Sequence, residues 1–296
     1  MGLDRRHLPL LRELGDLKRI RSAGRDGTIA ERLFRRGWAA LARGDDPAAV
    51  MARVVAAALA AARLGDLDRE KLGALGLNDG EALAVLERGF DEVTPLVEPS
   101  LAAALRAALA QGAPADGPVP GFVDLLANQP RAGVTCPGKP RLLLQPAESH
   151  AEHCLTVAVY AVLAAPGHGA DPVSVFVASM AHHLHNAAMP DAGFTGEVLL
   201  GDLLDRVIAA AREQAASELA PGVQAMVRAA LAPIGGEATP EARAFHVGDV
   251  LDRVLEIEQH ARSAVDMVVV LGDYELVHAG PVKAFHDRVL AEVGLL

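Results

Sequence analysis

The apolar segment Val173–Ala181 runs directly into His182-His183-Leu184-His185-Asn186. Such a segment can be buried with three imidazoles at its tip only if the fold brings partners to them. Buried polar nitrogens are almost always hydrogen-bonded, and neutral imidazole is the commonest protein ligand for a transition metal. Any acceptable fold must therefore deliver other polar groups to this point. The remaining histidines are unevenly spread: only His7 lies in the first half, and the other ten fall between His150 and His286. The chemistry is accordingly expected in the second half.

What surrounds that segment reads as helix. Aromatics are only 3% of the 296 residues, while Ala, Leu and Val dominate a composition that is 51% hydrophobic and 22% charged. This mixture favours close-packed helices, and an all-α fold is predicted. Helices are expected over Thr28–Leu41, Pro47–Leu64 (after Asp45-Asp46), from Asn78-Asp79-Gly80 to Arg88, and over Pro99–Gln111;. Further helices are expected over Glu148–Ala164, Asp171–His185, Gly196–Leu219 (broken), Pro221–Leu231, Glu241–Ala264 and Tyr274–Val293 (interrupted at Gly280-Pro281). Short loops between helices of this length imply antiparallel neighbours in a bundle. Met267–Leu271 reads as a lone strand or a buried turn. Punctuation by Gly and Pro divides the chain into a helical region 1–112 of packing or oligomerising role, a linker or irregular segment 113–140, and a helical metal-binding domain 141–296;.

A net charge of −10 repels a phosphate backbone, so nucleic acid is not an expected partner;. The basic residues near the start (Arg5, Arg6, Lys18, Arg19, Arg21, Arg25, Arg32, Arg35, Arg36) are interleaved with Asp4, Glu13, Asp16, Asp26 and Glu31, which reads as a solvated helix face;. Cys136 and Cys154 lack the spacing of a zinc knuckle or redox pair and read as reduced thiols;. The first residues do not form a signal peptide, and no stretch is expected to supply the roughly 18 apolar residues of a membrane span. A cytoplasmic location without membrane contact is expected, and homo-oligomerisation stays open.

Three helical stretches offer ligands. His150 and His153 share a face of one helix; His182, His183 and His185 end the next; His246 and Asp249 share a face of a third, with Asp252 nearby;. Facing helices of a bundle can gather such groups inward around a metal. Imidazole and carboxylate with little thiol suit a divalent transition ion: Fe, Mn, Co, Ni or Zn. Asp252, Arg253 and Glu256 read instead as a solvated ladder of ion pairs;.

The motifs Glu148-Ser149-His150-Ala151-Glu152-His153, Met180-Ala181-His182-His183-Leu184 and Phe245-His246-Val247-Gly248-Asp249, in that order, resemble the HD-domain superfamily of metal-dependent phosphohydrolases, especially its 5′-deoxynucleotidase-like branch. The resemblance spans roughly residues 141 to 258. It implies an HD-like helical bundle with His153, His182 and Asp249 on a metal. His183 stands where the family carries the aspartate of its His-Asp pair, and His246 would lie beside the metal. Asn186 falls where that branch tends to carry a catalytic Glu; Asp191 or Glu197 would substitute for it, and Arg141, or Lys139, would hold the substrate phosphate;. The implied activity is metal-dependent hydrolysis of a nucleotide or other small phosphomonoester. Two alternatives stay open. One is an HD-type di-iron oxygenase using His183, His185 and His246; the other is a catalytically degenerate HD module with a binding or assembly role.

Overall fold

The computed structural model describes residues 3–262 and 283–292. The protein is all-α, as predicted: among the described residues there are helices, short 3-10 turns and three isolated bridges, and no strand. In chain order the α-helices are α1 Leu8–Asp16, α2 Ile29–Arg43, α3 Pro47–Leu64, α4 Arg69–Ala74, α5 Asp79–Val93, α6 Pro99–Leu109, α7 Gly121–Asn128, α8 His150–His168, α9 Pro172–Ala181, α10 Gly193–Leu200, α11 Leu204–Ala216, α12 Pro221–Leu231, α13 Pro240–Arg262 and α14 Lys283–Glu292.

Local chemistry sets these boundaries. Thr28 caps α2 by accepting from Glu31 N, and Gly44, at φ 90°, ends it. Asp46 caps α3 with Pro47 in its first turn, and Asp171 caps α9 with Pro172 in its first turn. Asn78 with Glu81 closes a reciprocal capping box on α5, and Ser149 with Glu152 closes one on α8. Each satisfies amide donors that the first helical turn leaves without partners.

Residues Met1–Glu256 form one compact unit and Ile257–Leu296 a second. In the first, α8 is buried on every side from His150 to Ala165 and packs along α9 and α2. A helix apolar all round belongs at a centre rather than at a surface. Helix α3 is the other hub, packed against α1, α2, α5 and α6. It passes, by length and composition, for a membrane-spanning helix, contrary to the expectation that no stretch would. Its apolar residues Val50, Val54, Val55, Ala58 and Leu59 face the protein core. In the second unit, Lys283 of α14 pairs with Asp287 one turn on at 2.9 Å. The expected strand or turn at Met267–Leu271 lies outside the described residues.

No break in the core falls at residues 112 or 141. One hydrophobic cluster runs from Leu10 through Trp38, Leu59, Phe90, Phe122, Leu155 and Phe176 to Leu231. The segment read as linker contains α7, whose Phe122 meets Trp38 edge to face at 4.9 Å between ring centres. The N-terminal helices are thus built onto the histidine-bearing ones. Tyr160 of α8 donates its hydroxyl to Leu11 O, and Thr28 Oγ1 donates to Glu152 Oε1 at 2.7 Å.

Candidate metal centre

Helix α9 stops at Ala181, four residues before the predicted end, and a 3-10 turn follows over Leu184–Ala187. This early break turns His182 and His183 toward the N-terminal end of α8. There His153, three residues after His150, is wholly buried. His153, His182 and His183 each offer a ring nitrogen, and the three nitrogens lie within 4.8 Å of one another. His182 Nε2 is 3.2 Å from His153 Nε2, and the His182 and His183 rings are 4.3 Å apart. Asp249 of α13 brings Oδ1 to 3.4 Å from His153 Nε2. Helix α13 comes this close because Gly248 has no side chain: a Cβ there would lie 2.8 Å from Val157 O and 2.9 Å from Ala161 N.

The far nitrogen of each ring is already committed. His153 Nδ1 is 2.7 Å from Asp252 Oδ2, His182 Nδ1 is 2.6 Å from Ser179 O, and His183 Nδ1 is 2.7 Å from Asn186 Oδ1. Asp252 and Ser179 O only accept, so His153 and His182 carry a proton on Nδ1. With the Asn186 amide assigned as it stands, His183 does too. The Nε2 atoms then bear lone pairs. Lone pairs of His153 and His182 at 3.2 Å, with a carboxylate at 3.4 Å, repel unless something positive lies among them: a proton on one Nε2, or a metal ion. Hydrogen-bonding the outer nitrogen to a carboxylate or carbonyl is how metal-binding imidazoles are oriented. Three imidazoles and one carboxylate suit Fe, Mn, Co, Ni or Zn, so the residues present fit such an ion.

The electrostatics agree. Burial, and then the neighbouring His153 ring, pushes His182 down to about 3. Burial and the neighbouring His182, His150 and His153 hold His183 well below its ordinary value. Both rings are thereby kept neutral at pH 7, as a metal ligand must be;. Burial works to raise the Asp249 carboxyl, but His153, His182 and Arg253 outweigh it and keep it below the usual carboxylate range.

A second buried group, Glu148, His153 and Asp252, also has ligand-like spacing. Its centre is filled by the protein. Lys18 Nζ lies 2.6 Å from Glu148 Oε2, 2.6 Å from Asp252 Oδ1 and 3.2 Å from Glu256 Oε2. Asp252 and Glu256, expected in a solvated ladder, are therefore buried, and so is Lys18, expected on a solvated face. The reason is a partner from 234 residues away in sequence (252 minus 18), which local helical periodicity cannot reveal.

The other expected site residues divide. His246 does not reach the cluster: its Nε2 donates to Gly236 O at 3.1 Å, because one helical step from Phe245 turns it outward. Asn186 sits against His183 as its hydrogen-bond partner. Asp191 reaches the cluster through His150, with Oδ2 3.5 Å from His150 Nε2, and its carboxylate accepts from Ala132 N and Gly193 N. Arg141 donates to Ala132 O at 3.1 Å and Ala192 O at 3.4 Å, so it ties two loops together. Glu197 is exposed on α10, and its side chain makes no hydrogen bond or ion pair among the described residues. Gln129, with its amide oriented to donate to Asn186 O and accept from Asp191 N, both at 2.7 Å, holds the loop between them.

Two more imidazoles flank the triad. The His150 ring is 4.7 Å from that of His183, and the His185 ring is 5.5 Å from it. Burial, and then the charge of Arg212, pushes His185 down to about 4. Comparisons with protein-family models, with curated proteins and with solved structures give no match.

Proposed function

We propose that the chain is a metal-dependent phosphohydrolase of the HD type acting on a nucleotide or other small phosphomonoester. The observation that carries this reading is the convergence of ring nitrogens from His153, His182 and His183, with the Nδ1 atom of each ring already partnered. His153, His182, His183 and Asp249 would hold the ion. When bound, a divalent ion lowers the pKa of a water and offsets phosphoryl charge. The chain's own part is to orient and to exclude water. Asp252 holds the His153 ring, Ser179 O the His182 ring and Asn186 the His183 ring, so the ligands need no reorganisation. Asp191 is the carboxylate of the sequence-expected catalytic set that reaches the cluster, and it would steer a water.

A second reading is a module that binds metal without turnover. It is favoured by Asn186, whose Oδ1 is committed to His183 and whose amide cannot act as a base. The oxygenase reading draws no support from His246, which points to Gly236 O.

The test is to strip the purified protein of metal, reload it with Mn, Co, Ni, Fe or Zn, and assay a panel of phosphomonoesters. Metal bound at about one ion per chain, with phosphate released and both lost in His182→Ala, is the expected result. Metal without turnover favours the second reading. No bound metal under any loading ends both.

A further inference from the structure

Three side chains beside the triad carry buried nitrogens with no hydrogen-bond partner, although Asp191 Oδ2 stands 3.5 Å from His150 Nε2. His150 is completely buried, and neither of its ring nitrogens has a hydrogen-bond partner. The buried Nδ1 of His185 has none, and neither does the buried Nε of Arg212. Native proteins leave few such groups, and each one asks for an explanation. Here they are neighbours: His150 and His185 flank the same ring, His183, and α11, which carries Arg212, packs on the Leu184–Ala187 turn that carries His185.

Arg212 stands apart from many other arginines of this chain. Arg25, Arg32, Arg35, Arg36, Arg63, Arg106, Arg131 and Arg228 all pair with carboxylates. Arg212 makes no ion pair among the described residues, and burial alone depresses its pKa. A half-buried guanidinium without a counter-charge, next to imidazoles with open donor positions, lacks one thing: a negatively charged acceptor with several oxygens. The planar guanidinium fork matches a phosphate in this way.

We propose that His150, His185 and Arg212 form a phosphoryl-binding subsite beside the histidine triad, with Arg212 as the charge that receives the oxyanion. This rests on the phosphomonoester reading for the identity of the ligand, but not on metal occupancy. It moves the phosphate-holding role from Arg141, which bonds Ala132 O and Ala192 O, to a residue on α11.

The experiment titrates inorganic phosphate into the full chain, kept metal-free with chelator, by calorimetry. Saturable binding is expected. Arg212→Gln should weaken it about tenfold or more, the loss expected for one charge-assisted contact. His185→Asn, which keeps the charge of Arg212, should weaken it less, and together the two variants keep the test open should one of them fold poorly. Absence of phosphate binding, or unchanged affinity in both variants, overturns the proposal. So does an Arg141→Gln variant that loses binding while Arg212→Gln keeps it. Because no metal is present, failure here leaves the metal reading standing, and failure of metal loading leaves this one standing.

Discussion

Lys18 Nζ lies 2.6 Å from Asp252 Oδ1, and the other oxygen of that carboxylate lies 2.7 Å from His153 Nδ1. A residue between α1 and α2 is thereby joined, through one carboxylate, to a ligand at the centre of the candidate site. Burial by itself would lower the Lys18 pKa; Asp252, Glu148 and Glu256 outweigh it and hold it above the ordinary lysine range. The ammonium keeps Asp252 ionised, and ionised Asp252 keeps the proton of His153 on Nδ1.

Removing that ammonium leaves three buried carboxylates facing one another. Lys18→Met should destabilise the fold by about 3–5 kcal/mol, as for breaking one side of a buried ion pair. Asp252→Asn is the milder test, since an amide oxygen still accepts from His153 but makes it a weaker ligand. Metal affinity should fall roughly 10–100-fold, the range for losing such an outer partner. Urea unfolding measures the first and metal titration the second. A Lys18→Met protein within about 1 kcal/mol of its parent contradicts the account.

Gly248→Ala asks whether close helix approach sets the position of Asp249. The new Cβ would meet backbone atoms of Val157 and Ala161 below 3 Å, and these cannot rotate away. Helix α13 must shift, at about 1–3 kcal/mol for overpacking. Metal binding should weaken as Asp249 retreats from His153. A variant that keeps full stability and metal affinity would show that α13 has slack at this crossing.

Acid should destabilise the metal-free protein from an unusually high pH. His150, His182 and His185 are pushed down to about 2, 3 and 4, and His183 also lies well below its ordinary value. In the unfolded chain all four titrate near 6.5. As pH falls below that, the unfolded state takes up protons that the folded state refuses, so stability drops. Each histidine that stays neutral in the fold contributes up to about 1.4 kcal/mol per pH unit below its unfolded value. Glu152, raised by burial, works the opposite way, one group against four. The melting temperature between pH 7 and pH 5 reads this directly, and a flat profile refutes it.

The two thiols should differ sharply. Cys136 is exposed; Cys154 is wholly buried, and burial pushes its thiol pKa well up. One thiol per chain should react with a disulfide reagent under native conditions and two in denaturant. Two fast thiols in the native protein would mean that the α8 surroundings open readily.

The sequence by itself determined where most helices begin and what closes the triad. Pro47–Leu64 comes out at the residues its Asp, Pro and Gly neighbours indicate, because caps act within one turn, and Pro221–Leu231 begins at its proline without a side-chain cap;. His153 and the His182-His183 pair were legible because they sit in short motifs at the ends of apolar runs. Only the tertiary structure decided the rest. His246 and Asp249 are three apart on one helix, yet Asp249 approaches His153 while His246 bonds Gly236 O, since the exact rotation of α13 is set by Gly248 against α8. Lys18 and Arg212 carry no local signal at all. A lysine on a charged stretch and an arginine on an amphipathic helix read as solvated until packing removes the water, and that packing joins residues far beyond one helical turn, in the case of Lys18 and Asp252 more than two hundred positions apart.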